Sequence, residues 1–136
     1  VIKKIDHIAI AVKNLAEEIA RYRDVMGLEF LGTEVVPEQK VTVAFFKVGD
    51  VSIELLEPLS ADSPISAFIE KKGGGLHHLA LQVDDIRGDI RRLQEKDVKM
   101  LDGEPRQGAH HSQIAFVHPK SFSGVLYELK QEGDAS

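Results

Sequence analysis

Asp6-His7-Ile8-Ala9-Ile10-Ala11-Val12 and His77-His78-Leu79-Ala80-Leu81-Gln82-Val83 are two versions of one stretch, and their likeness decides the fold. Both alternate with period two, as a strand with two different faces does. His7, Ala9 and Ala11 fall on one face, and Ile8, Ile10 and Val12 on the other. The second copy repeats this with His78, Ala80 and Gln82 against Leu79, Leu81 and Val83. Internal repetition of this kind is the first thing to test in a sequence, because it sets the architecture.

The repeat extends outward. Leu15, Ile19 and Tyr22 recur at helical spacing, and so do Ile86, Ile90 and Leu93, each 71 positions later, the offset that separates His7 from His78. Asn14 and Asp85 are suited to cap the two helices, and Gly27 to end the first. Strands are then expected near 29–36, 41–48 and 51–57, the last two joined by a tight turn at Gly49-Asp50. In the second copy they are expected near 98–101, 113–117 and 124–130. Between the copies, Ser63-Pro64 reads as a helix start, and Gly73-Gly74-Gly75 breaks the chain. The expected fold class is α+β: two tandem βαβββ modules forming a curved mixed sheet around a metal-containing cavity. Module 1 covers about 1–58, a linker about 59–75 and module 2 about 76–131 of a single domain spanning 1–136. The short His/Ala face should line the cavity, and Ile8, Ile10, Leu79 and Leu81 should lie buried under the helices.

The chemistry follows from the last strand of each copy. Glu54 stands in Ser52-Ile53-Glu54-Leu55-Leu56 and Glu128 in Leu126-Tyr127-Glu128-Leu129. A carboxylate within an apolar strand is costly unless it is paired or bound to a metal. One strand histidine alone is ordinarily a hydrogen-bonded core or rim residue, and one strand glutamate often faces solvent. Two of each at repeat-related positions instead point to His7, Glu54, His78 and Glu128 holding one divalent cation. The chain has no cysteine, so thiolate ligation and a disulfide framework are excluded, and a nitrogen and oxygen donor set suits Co, Zn, Ni, Mn, Mg or Fe. His77 has the helix-facing parity, His118 reads as a turn residue, and His110 and His111 belong to a loop after Gly108.

Bulk properties bound the rest. With 136 residues, 43% apolar and 29% charged, the chain is the size of one globular domain, and a net charge of −5 argues against a broad nucleic-acid-binding face. No signal peptide and no membrane span are expected, so a cytoplasmic protein is the default.

The sequence resembles the vicinal oxygen chelate (glyoxalase/bleomycin resistance/dioxygenase) superfamily, and within it the methylmalonyl-CoA epimerase family. The segments that carry the resemblance include 6–12, Pro37-Glu38-Gln39, Ile53 to Leu59, Gly75 to Ala80, Gly103-Glu104-Pro105-Arg106 and His118-Pro119-Lys120-Ser121. The resemblance implies a metal held by His7, Glu54, His78 and Glu128, an acyl-CoA substrate and a homodimer. It implies interconversion of the (R) and (S) forms of methylmalonyl-CoA through an enolate, by proton exchange at C2. Glu128 and Glu54 are the candidate catalytic bases, and Gln39, Ser112 and Lys120 the candidate substrate contacts. The chain departs from the family pattern at three places. Lys40 and His111 stand where glycine is usual, and Val43 stands where some members have a carboxylate. The alternatives are a glyoxalase I-like lactoylglutathione lyase with the same ligands, an extradiol dioxygenase, and a non-enzymatic small-molecule-binding protein of the same fold. A fourth protein ligand argues against the dioxygenase, and an intact ligand set argues against the binder.

Overall fold

A computed structural model describes residues 1–133. The chain is α+β. Its elements are β1 (Ile2–Ala11), α1 (Leu15–Ala20), β2 (Glu29–Val36), β3 (Val41–Val48), β4 (Val51–Pro58), α2 (Pro64–Lys72), β5 (Gly75–Val83), α3 (Ile86–Glu95), β6 (Arg106–Gln107), β7 (Gln113–Val117) and β8 (Tyr127–Gln131). Among the described residues no helix is long and apolar enough to cross a membrane. The chain divides into two compact units, His7–His77 and a second made of Val1–Asp6 with the residues from His78 onward.

In the first unit the strand order is β2-β3-β4-β1. β1 runs parallel to β4, with Ala9 opposite Glu54, and β3 is antiparallel to both β4 and β2. The Gly49-Asp50 turn joins β3 to β4 as expected. Asn14 Oδ1 accepts the Glu17 N–H at 3.0 Å and starts α1. The helix widens after Ala20 into a π turn over Arg21–Val25, so Tyr22 lies in that turn rather than in α1. Val12, Leu15, Ala44, Phe46 and Leu55 form the core beneath it, with Ile10, Ile19 and Tyr22 against them. Ser63 caps α2, its hydroxyl accepting the Ile65 N–H at 3.2 Å. All three glycines of Gly73-Gly74-Gly75 have positive φ, of 83°, 108° and 100°. At Gly74 a Cβ would also meet the Ala11 carbonyl oxygen at 2.9 Å, so both conformation and space demand glycine there.

In the second unit the order is β5-β8-β7-β6. β5 is parallel to β8, with Ala80 opposite Glu128, and β7 is antiparallel to β8 and β6. Asp85 caps α3 by accepting the Gly88 N–H at 3.1 Å. Val83, Ile86, Ile90, Ala115, Val117 and Leu129 form its core. The strand expected at 98–101 is reduced to one bridge, Met100 to Val117. The N–H groups of Leu101 and Asp102 both donate to the Phe116 carbonyl, which turns the chain away. Pro105, lacking an N–H, then delays pairing until Arg106. The last strand begins at Tyr127 rather than Gly124, because Ser123 and Gly124 both take positive φ in the preceding turn.

The two faces of β1 and β5 differ from expectation in one respect. Ala9 and Ala80 are fully enclosed and Ala11 nearly so, whereas Ile8, Ile10, Leu79 and Leu81 are only half-buried. Each helical cluster gathers the C-terminal end of its strand, Val12 in one and Val83 in the other. The Ile/Leu face is therefore covered toward one end, and Gln82 is half-buried on the opposite face.

Candidate metal centre

Directly paired residues of neighbouring strands project to the same side of a sheet. In the first unit this places Ala9, Glu54 and Phe45 in one row, with His7 two residues before Ala9 on the same face. The second unit repeats the row with Ala80, Glu128 and Phe116, and His78 two residues before Ala80. The alanine leaves room above the sheet for the imidazole and the carboxylate to meet. His7 Nδ1 lies 3.0 Å from Glu54 Oε2, and His78 Nε2 lies 3.3 Å from Glu128 Oε1. All four side chains are at most 7% exposed.

In each unit a buried carboxylate faces a buried imidazole, a nitrogen and oxygen donor pair of the kind that binds divalent cations. The residues therefore fit a metal. The two pairs use different ring nitrogens, so the repeat is symmetric in strand register but not in imidazole orientation.

The remaining histidines are placed otherwise. The His77 ring packs edge-on against Phe68 at 4.9 Å. His118 Nδ1 accepts the Lys120 N–H at 3.0 Å within a turn. His110 and His111 are exposed in the loop before β7, with φ of 54° and 61°. Of the candidate substrate contacts, Gln39 is half-buried at the end of a 3₁₀ turn and Lys120 is exposed. Ser112 is 1% exposed, and its hydroxyl donates to the Ala109 carbonyl at 2.7 Å. Val43 is buried on the ligand-bearing face of β3 and pairs with Leu56 and Glu34.

Two features were not legible in the sequence. Lys130, two residues after Glu128 and 7% exposed, makes an ion pair at 2.9 Å with the buried Asp6. The Phe116 ring packs edge-on against His78 at 5.1 Å, and the Arg106 guanidinium sits over that ring at 5.9 Å. Only strand register reveals either one.

Residues 6–116 match the model of the Glyoxalase/Bleomycin resistance protein/Dioxygenase superfamily, and the chain belongs to that superfamily. Ethylmalonyl-CoA/methylmalonyl-CoA epimerase of Cereibacter sphaeroides is 42% identical over 132 residues, covering 96% of this chain and 98% of the relative. The mitochondrial methylmalonyl-CoA epimerase of Mus musculus is 40% identical over 129 residues, covering 94% of this chain and 72% of the relative. Methylmalonyl-CoA epimerase solved with methylmalonyl-CoA and NH4+ superposes with a TM-score of 0.95 at 37% identity, over 100% of this chain and 99% of that one. Within the superfamily, the chain is thus an isomerase of the methylmalonyl-CoA epimerase family.

Proposed function

We propose that the protein is a metal-dependent methylmalonyl-CoA epimerase, in which His7, Glu54, His78 and Glu128 together hold one divalent cation. The observation that carries this reading is the recurrence of one buried His–Glu pair in the same strand register in both units. When bound, the cation supplies Lewis-acid stabilisation of the negative charge that builds on the thioester oxygen as C2 loses its proton.

Inversion needs proton removal on one face of C2 and return on the other, by groups within hydrogen-bond reach. Glu128 serves one face and Glu54 the other, since Val43 has no proton to exchange. Each carboxylate has an imidazole beside it, which holds its orientation. The enclosed Ala9 and Ala80 leave the carboxylates unobstructed, and Phe45 and Phe116 flank them with apolar surface. Gln39 and Lys120 contact substrate, Ser112 does so on exchanging its hydrogen bond to the Ala109 carbonyl, and the working unit is a cytoplasmic homodimer. Sedimentation at micromolar concentration checks the dimer.

The lyase reading is weaker: lactoylglutathione lyase of Salmonella typhimurium is 28% identical over 129 residues, against 40–42% for the epimerases. Deuterium wash-in at C2 of methylmalonyl-CoA separates the two. Metal-loaded protein should exchange the C2 proton of both stereoisomers, metal-stripped protein should not, and restoring the metal should restore exchange. Failure of the loaded protein to exchange either isomer would refute the proposal.

A further inference from the structure

Resting on the epimerase reading, we infer that Arg106 is a substrate-recognition residue that grips a phosphate of the coenzyme A moiety. Arg106 pairs with Ile114 in the β6–β7 ladder, and Ile114 pairs with Lys130. That row lies beside the row of Ala80, Glu128 and Phe116, so Arg106 projects to the side that carries His78 and Glu128. Its guanidinium lies over the Phe116 ring, which meets the His78 ring nearly at right angles. Asp102 holds it there: Oδ1 contacts Arg106 Nε at 3.0 Å, while Oδ2 accepts the Phe116 N–H at 2.9 Å. One carboxylate thus contacts both the guanidinium and the backbone of the residue whose ring lies beneath it.

The arrangement suits an anion. The Arg106 side chain is 42% exposed, so a ligand can reach it. Asp102 engages Nε, and the terminal nitrogens carry the donors with which arginine grips phosphate in a fork. The nearby Lys130 is buried against Asp6, and that ion pair already balances its charge. The position also selects among the anions of the substrate. The guanidinium stands 5.9 Å from the Phe116 ring, which is itself 5.1 Å from the His78 ring, so it lies outside the His78–Glu128 pair at which C2 and its carboxylate would sit under the epimerase reading. The carboxylate of a malonyl thioester is attached to C2 itself, whereas the phosphates lie beyond the pantetheine arm.

The test compares methylmalonyl-CoA with methylmalonyl-pantetheine, which keeps the thioester and carboxylate but lacks the phosphates. Arg106→Ala should raise KM for the coenzyme A ester about tenfold or more with kcat within about twofold, as loss of uniform binding does. It should leave KM for the pantetheine ester near the parent value. Arg106→Lys should recover part of the loss, because it restores the charge without the fork. Calorimetry with coenzyme A alone should show the same weakening as the KM. An unchanged KM, or an equal loss with both esters, would overturn the assignment. If the parent protein epimerises neither ester, the epimerase reading fails on its own. Coenzyme A calorimetry on the parent and the Arg106 variants then still decides the role of Arg106.

Discussion

Lys40 and His111 show how a single side chain can sit against its backbone. Both stand where the family usually has glycine, and both take a left-handed conformation, with φ of 58° and 61°. That conformation costs a β-carbon-bearing residue roughly 1 kcal/mol. The residue types themselves do not announce it, since neither lysine nor histidine favours that conformation; only the departure from the family pattern marks the two positions. Lys40 is partly compensated: its ammonium reaches Asp62 Oδ2 at 2.6 Å, and this contact, with a hydrogen bond from Ser60, holds the Asp62 carboxyl below its usual range. A depressed carboxylate stabilises the fold above its ordinary range and loses that contribution as pH falls through its folded value. Lys40→Gly should therefore raise stability by about 0.5–1 kcal/mol, and the gain should be larger near pH 2 than near pH 7, as read by urea unfolding at both. At the two proposed bases, Glu54→Gln and Glu128→Gln should each keep partial metal occupancy while losing epimerisation by roughly 100-fold, because an amide can ligate but takes no proton. Each variant should still exchange the C2 proton of one isomer, and the two should select opposite isomers. His7→Ala should lose both exchanges together. Near-parent epimerisation by metal-loaded Glu54→Gln would reduce Glu54 to a ligand only.

At the scale of elements, what was legible is what repeats or caps. β1 and β5 announce themselves by alternation, α1, α2 and α3 by Asn14, Ser63 and Asp85, and the two buried His–Glu pairs by their shared place in the repeat. The segment at 98–101 misled, because apolar alternation does not reveal that Leu101 and Asp102 both bond to one carbonyl. The Asp6–Lys130 pair was invisible for the opposite reason: lysine near the end of a strand reads as solvated, and only pairing of Lys130 with Gln82 and Ile114 puts it in the interior. It joins β8 to the first residues of β1. Removing one partner of a buried ion pair strands the other charge, at a cost of about 3 kcal/mol or more. Lys130→Met should thus be strongly destabilising, and adding Asp6→Asn should return much of the loss. Chemical denaturation of the parent, both single variants and the double variant measures this coupling; additive losses would mean that the pair is not coupled.

For the molecule as a whole, the proposed four-residue ligation predicts that a divalent cation stabilises the native chain by mass action. At a free metal concentration 100-fold above Kd the gain is about 2.7 kcal/mol. Chelation should lower Tm by several degrees, and His7→Ala or His78→Ala should each abolish the metal-dependent part, since neither half would keep a full set. A Tm insensitive to chelator and metal would contradict four-residue ligation. The repeat was readable because two copies of one pattern reinforce each other; the allocation of chain to compact units was not. Val1–Asp6 groups with the residues from His78 onward, while His7–His77 forms the other unit, so β1 contributes to both. A break in the chain at the glycines 73–75 would consequently not separate two self-sufficient pieces. The fragment from residue 76 onward would lack Asp6, the buried partner of Lys130, and the other fragment would carry six residues whose neighbours had gone. Expressed apart, the two should each be poorly folded, and mixed they should recover structure together, which makes the protein a natural candidate for split-reporter complementation.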